Sequence, residues 1–334
     1  MTEQEKDFYS KPFKFSYSSL NKLLFSPSLF YNDYILRQRQ EKLDKHLLEG
    51  KVLHCLLFEP EKLQEKFKIV PGKLPTDNVR KILHSLHKVS NLGLTTDNSY
   101  VDLMSKELEN SILSILKEEN LYQTLKEDSA RLVKIQCQEN VEYWNFINNS
   151  KVDVVDEETL KRCQEQIEII KNNTEVNKIF GEFQTDFPLD TIETFSEKYL
   201  ECKLDNYNFG LKGYIDFYKI DNDKKQIVIC DLKTTSKTID EFPETVDYYK
   251  YWLQAVIYTK LVIENLPEEK QNYKIIFTFI VIDKYNQVYP FEVSEISLDA
   301  WVTDLRYALE TANYHYTNNN YSLPFNYLVN KVRL

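Results

Sequence analysis

Between residues 191 and 295 the chain alternates runs of β-branched and aromatic residues with short polar turns. Residues 226–230 form a β-branched run, apolar from Ile227 on and bounded by the turn-like Asp221, Asn222 and Asp223, which predicts a central strand covered on both faces. Residues 209–220 predict the preceding strand of a hairpin, and 196–204 a third strand that enters it through the turn Asn206-Tyr207-Asn208. Two further strands are predicted over 274–283 and 287–293. The period then changes: Trp252, Leu253, Val256, Ile257 and Leu261 recur at helical spacing and predict an amphipathic helix over 245–265. A second helix is predicted over 298–313, and the aromatic-rich tail, 318–334, is expected to dock on the core or on a neighbouring subunit.

The region from 72 to 190 reads differently. Residues 78–89, 100–118, 121–149 and 157–171 carry helical periodicity with dense Glu and Lys on their outer faces. The expected organisation is an N-terminal helical part over 1–71, a large helical insertion over 72–190, and a core over 191–334 that holds the sheet, a C-terminal helix and the tail. With six glycines and no Ser- or Pro-rich stretch, no flexible tether separates these parts, and no internal repeat is visible.

Polar residues interrupt the apolar strands at a few positions. Asp216 lies between Ile215 and Phe217, where a carboxylate is costly unless it is paired, exposed at an edge or bound to a cation. Side chains alternate along a strand, so Asp231 and Lys233 project from one face at the end of the central strand and Leu232 from the other. The same alternation puts Glu197, Tyr199 and Glu201 on one face, and either Glu197 or Glu201 completes the acidic set. On the following helix Gln254 and Tyr258 stand four apart and interrupt the apolar stripe. Each of these residues alone reads as a solvated strand end or a helix boundary. Two acids and a lysine gathered at one place on a sheet read as a divalent-metal site beside a general base, whose usual substrate is a phosphodiester.

In order, G-x-I-D (Gly213, Ile215, Asp216), D-x-K (Asp231, Lys233) and Q-x-x-x-Y (Gln254, Tyr258) resemble the core motifs of the PD-(D/E)XK nucleases, and among them the RecB and RecE-like exonucleases. Ser18-Ser19-Leu20-Asn21, Pro27, Phe30 and Tyr31, followed by E-G-K-V-L-H-C-L-L-F-E-P, resemble the opening helices of phage RecE-like exodeoxyribonucleases. The resemblance covers residues 15–70 and 190–295. It implies an α/β, restriction-endonuclease-like core: a mixed central β-sheet flanked by helices, here with the helical insertion. It implies that Asp216, Asp231, Glu197 and His54 hold Mg²⁺ or Mn²⁺, with His54 four residues after Gly50 on one helix. Lys233 orients or deprotonates the attacking water, and Gln254 and Tyr258 contact DNA or Lys233. It further implies 5′-to-3′ digestion from duplex ends, a single-strand annealing protein as partner, a ring-like homo-oligomer such as a tetramer, and a phage-encoded role in recombination.

Composition bounds these expectations. With 334 residues, 42% of them hydrophobic, the chain can bury a substantial core. No apolar run approaches the ~20 residues of a membrane span, and M-T-E-Q-E-K is not a signal-peptide start, so no membrane association is expected and the location is the cytoplasm, that of the host for a phage protein. The cysteines at 55, 137, 163, 202 and 230 follow no C-x-x-C spacing, and none comes after Cys230. One branch of the superfamily carries an iron–sulfur cluster whose last ligands follow the Q-x-x-x-Y helix, and no such cluster is expected here. The net charge of −10 argues against a general affinity for polyanions. Arg37, Arg39, Lys42, Lys45 and Lys51 are interleaved with Asp33, Glu41, Asp44 and Glu49, as on a solvated helix face. A nuclease needs positive potential only where the strand passes, and bound metal offsets the acids. Two other readings share these residues: a Mg²⁺-dependent endonuclease or repair nuclease on the same core, and a non-catalytic DNA-binding scaffold. The 23 tyrosines are scattered and suggest no single stacking platform.

Overall fold

The computed structural model describes residues 2–39, 45–70, 74–93, 102–149, 152–180 and 191–330. Glu41, Lys42, Asp44, Tyr100 and residues 331–334 of the tail lie outside them. The described strands are β1 (Lys14–Phe15), β2 (Phe67–Val70), β3 (Asp153–Asp156), β4 (Ile192–Lys203), β5 (Gly210–Asp221), β6 (Gln226–Thr235), β7 (Lys274–Asp283) and β8 (Val288–Glu292). The chain divides into two compact units: Met1–Glu41 with Glu168–Leu334, and Lys42–Ile167.

The first unit is built on a mixed sheet in the order β1-β5-β6-β7-β8, with β4 also paired to β5. β4 runs antiparallel along the whole of β5, so β1 and β6 share the other edge of β5, β1 near its start and β6 near its end. β6 and β7 are parallel from Gln226↔Lys274 to Thr235↔Asp283, which carries β6 five residues past the β-branched run at 226–230. All five predicted strands are present, and β4 begins four residues before the predicted 196 because Ile192 pairs with Asp221.

The predicted helix over 245–265 is two helices, Phe242–Tyr248 and Tyr251–Glu264, separated by Lys250 at φ 55°. Left-handed backbone ends a helix, and glycine or asparagine normally marks it; a lysine there gives no signal in the sequence. Tyr251–Glu264 is also not amphipathic. Leu253 to Thr259 are buried all round, since the sheet covers one side and the helices Tyr17–Phe25 and Glu295–Asn318 pack on the others. The predicted 298–313 helix extends over Glu295–Asn318, capped by Ser294, whose hydroxyl accepts from the Ser297 N–H at 3.1 Å.

In the second unit β2 and β3 form a two-stranded parallel sheet, which the helical periodicity of the region gives no hint of. The helices Asp77–Gly93, Glu109–Glu118, Asp128–Ile135 and Gln138–Asn149 enclose a core that includes Ile82, Leu83, Ile112, Ile135 and Trp144. The predicted 121–149 helix breaks at Gln136, whose side chain donates to the carbonyls of Leu103 and Ser105 at 2.8 and 2.9 Å. Asn140 in turn donates to the freed carbonyls of Lys134 and Ile135.

Two glycines of β5 are fixed by close approach. A Cβ on Gly213 would lie 3.1 Å from both the Tyr258 ring and Leu261, so the absence of a side chain lets the strand sit against the Tyr251–Glu264 helix. A Cβ on Gly210 would meet the Cys202 carbonyl oxygen of β4 at 2.4 Å. Backbone gives less readily than a side-chain tip. Gly210→Ala is therefore expected to lower stability by about 1–3 kcal/mol and Gly213→Ala by less, read as urea midpoints. Equal midpoints for Gly210→Ala and the parent chain would show that β4 and β5 can separate there without cost.

Candidate active site

The site forms where the sheet loses its regularity. β4 and β5 pair at Ser196↔Phe217 and again at Lys198↔Ile215, and the ladder skips the intervening Glu197 and Asp216. On the opposite edge, pairing between β5 and β6 runs up to Phe217↔Cys230 and does not include the next positions, Asp216 and Asp231. Glu197, Asp216 and Asp231 therefore occupy one row across three adjacent strands.

Side-chain parity also inverts at this row. Phe195 of β4 and Tyr218 and Ile220 of β5 face the core on one side of it; Leu200 of β4 and Leu211 and Ile215 of β5 face the same core on the other. A regular strand keeps its alternation, so the even spacing from Phe195 to residues such as Glu197 and Glu201 cannot hold through this point. The inversion coincides with Glu197 at φ 45°, a left-handed conformation uncommon outside glycine and a mark of strain at functional sites. This corrects the expectation that Glu197, Tyr199 and Glu201 share a face. Glu201 is exposed, ion-paired with Lys14 and accepting from the Tyr199 hydroxyl at 2.7 Å. Glu197 instead brings a carboxylate oxygen within 4.8 Å of one from Asp216.

The separation of β5 from β6 leaves backbone groups to be satisfied, and Asp216 satisfies one. Its Oδ2 accepts the Leu232 N–H at 2.8 Å, replacing a ladder bond. Asp231 is fully buried, and its Oδ1 accepts from Gln254 Nε2 at 2.6 Å. Lys233 Nζ lies 2.5 Å from Asp231 Oδ2, donates to Gln254 Oε1 at 2.9 Å and sits 4.7 Å above the Tyr251 ring. Gln254 Nε2 also donates to the Tyr258 hydroxyl at 2.9 Å, so Gln254 links the acid, the ammonium and the tyrosine. Asp231 and Lys233 share a face as the alternation predicts, and Gln254 and Tyr258 meet them from one face of the helix. Tyr251, three residues before Gln254, belongs to the same group; its spacing on the helix was the available signal.

The electrostatics follow from this packing. Burial pushes the Lys233 ammonium down, and the carboxylates of Asp231 and Asp216 outweigh it, leaving the group above the ordinary lysine value. Burial, then the same two carboxylates, hold the Tyr258 hydroxyl well above its usual range, so it stays a neutral donor and acceptor.

The donor set suits a hard divalent cation. Glu197 and Asp216 offer carboxylate oxygens to one point, and the buried Oδ2 of Asp231 faces the ammonium without a hydrogen bond of good geometry. His54, the fourth expected ligand, stands half-buried on the Lys45–Phe58 helix of the second unit, its ring 5.9 Å from that of Phe58. Among the described residues no helix is long and apolar enough to cross a membrane.

The family model of the PD-(D/E)XK nuclease superfamily matches residues 14–319. No curated protein matches the chain. Solved structures similar to it include a candidate exonuclease from Eubacterium rectale, at 12% identity and a TM-score of 0.48, covering 100% of this chain and 96% of that one. They include also SSO0001, at 14% identity and a TM-score of 0.25, covering 75% and 91%. Likenesses this distant carry no argument about activity. The match along nearly the whole chain, together with a central mixed sheet flanked by helices, does establish the family: this chain belongs to the PD-(D/E)XK nuclease superfamily, with its restriction-endonuclease-like fold.

Proposed function

We propose that the chain is a Mg²⁺-dependent deoxyribonuclease that hydrolyses phosphodiester bonds from the ends of duplex DNA, in the 5′-to-3′ direction. The observation that carries the metal-dependent part is the single row of Glu197, Asp216 and Asp231 across three strands, with the Lys233 ammonium 2.5 Å from the last of them. Superfamily members generally use divalent metal ions, and Glu197, Asp216 and Asp231 are the residues that would hold one here, with His54 added on the strength of the sequence motif. A bound divalent ion supplies Lewis-acid polarisation of the phosphoryl oxygen and a more acidic water. The remaining work belongs to the chain. Lys233, pinned by Asp231, Gln254 and Tyr251, orients the attacking water beside the scissile phosphate. Gln254 fixes the direction of the ammonium, and Tyr258 holds the carboxamide of Gln254 in place. Burial of this set excludes bulk water from the reacting group.

The end-directed, 5′-to-3′ assignment rests on the resemblance of the ordered motifs and of the opening helices to RecE-like exonucleases. On the same basis we assign the chain to phage-type recombination in the cytoplasm of the host, handing single strands to an annealing protein, as a ring-like homo-oligomer such as a tetramer.

With Mg²⁺, linear duplex DNA is expected to be digested while covalently closed circles persist, and EDTA abolishes the reaction. Asp231→Ala and Lys233→Ala should each lower the rate by about 10²-fold or more with circular dichroism unchanged. Cut circles would replace the exonuclease by an endonuclease, no cleavage by the parent chain would leave only a DNA-binding scaffold, and equal cleavage by parent and variants would show the site to be misassigned. A second measurement needs no substrate. Calorimetric titration with Mn²⁺ should show affinity falling about 10–100-fold in Asp216→Asn and Glu197→Gln and unchanged in Glu201→Gln; a loss confined to Glu201→Gln would move the third acid there.

A further inference from the structure

The turn between the helices Phe242–Tyr248 and Tyr251–Glu264 carries three tyrosines in four residues, Tyr248, Tyr249 and Tyr251. They form a ladder that starts at Lys233. The Lys233 ammonium lies over the Tyr251 ring; Tyr249 stacks on Tyr251 with centroids 5.6 Å apart and planes at 29°, and Tyr248 meets Tyr249 edge to face at 4.9 Å. Exposure rises along the series, from half-buried Tyr251 to 48% at Tyr249 and 76% at Tyr248. Rings this open contribute little to a core.

The turn is nevertheless held in place. Lys250 at φ 55° breaks the helix here, and the Tyr249 carbonyl accepts two hydrogen bonds from the helix Tyr17–Phe25, at 2.7 Å from the Tyr17 hydroxyl and at 3.1 Å from the Asn21 amide. Both bonds use main chain at residue 249 and leave its ring available. A fixed aromatic surface that begins at the reacting group and opens to solvent is the feature from which proteins grip unpaired bases, since every base presents a π-face whatever its identity. Such a grip also suits a chain of net charge −10, in which phosphate contacts supply less of the affinity than in a basic protein.

We propose that Tyr249 and Tyr248 are a stacking platform for an unpaired nucleobase adjoining the scissile phosphate, so that the strand delivered to Lys233 is unpaired where it is cut. This rests on the nuclease reading above and specifies its substrate: a single strand, or a duplex end whose terminal pair has opened. The two tyrosines are positioning residues, sequence-neutral in what they hold.

The test uses the full chain and a short duplex with 2-aminopurine as its terminal base. In EDTA, where no metal-dependent cutting occurs, binding of the parent chain should change the 2-aminopurine fluorescence. The Tyr248→Ala/Tyr249→Ala double variant should bind about tenfold more weakly without that change, and Tyr248→Phe/Tyr249→Phe should restore both. A fluorescence change that persists in the alanine variant, or is missing in the parent, overturns the platform. With Mg²⁺, the alanine variant should show a raised KM with kcat nearly kept, and should lose the preference of the parent chain for a terminally mismatched duplex over a fully paired one. Cleavage by both proteins with equal KM rejects the platform and leaves the nuclease standing; a tyrosine-dependent fluorescence change without any cleavage does the reverse.

Discussion

The sheet can carry three acids in one row because it stops behaving as a sheet there. A carboxylate in the middle of a regular ladder either points at a neighbour of its own sign or is buried against apolar residues, and both are costly. Here the β4–β5 ladder skips the Glu197–Asp216 pair and the β5–β6 ladder ends just before Asp216 and Asp231. The irregularity brings the Glu197 and Asp216 carboxylates to a common point and frees a backbone donor, that of Leu232, which Asp216 accepts. β7 meanwhile stays paired to β6 through Thr235, so the strand bearing Asp231 and Lys233 is anchored on one edge while it opens on the other. Everything else at the site, from the ammonium to the helix that carries Gln254, is arranged around that opening.

Much of this was legible in the residues. Apolar runs gave the five core strands of the first unit, and alternation alone put Asp231 and Lys233 together and Leu232 apart. Spacing by four put Gln254 and Tyr258 on one helical face. Two of the misses share one cause, which is backbone in the left-handed region at residues that do not advertise it. Glu197 at φ 45° inverts the face of β4, so counting by twos from Glu197 to Glu201 gave a shared face that the strand does not have. Lys250 at φ 55° divides a helix whose periodicity reads as continuous. The β2–β3 pair was hidden for another reason: its strands are four residues each and their paired residues lie 86 positions apart, where local pattern carries no pairing information.

Gln254 illustrates how a neutral side chain becomes indispensable inside a charged group. Its carboxamide meets an acceptor with its nitrogen and a donor with its oxygen, and these partners differ in sign. A glutamate in its place would add a fourth negative charge beside Asp231, and a leucine would take one hydrogen-bond partner from both a buried carboxylate and a buried ammonium. The same residue ties the sheet to the helix, so the placement of Lys233 depends on the packing of Tyr258 against the bare backbone of Gly213.

The unit that bears the acids is assembled from the two ends of the chain, with residues 42–167 lying between them in sequence. β1 cannot find β5 until some two hundred residues separate the start of the chain from the ribosome's current position, and β6 remains half-bare until β7 has followed it. At roughly 5–20 residues per second, a nascent polypeptide spends many seconds without a finished sheet. With this order of parts the acidic row stays without its supporting sheet until translation has passed β7.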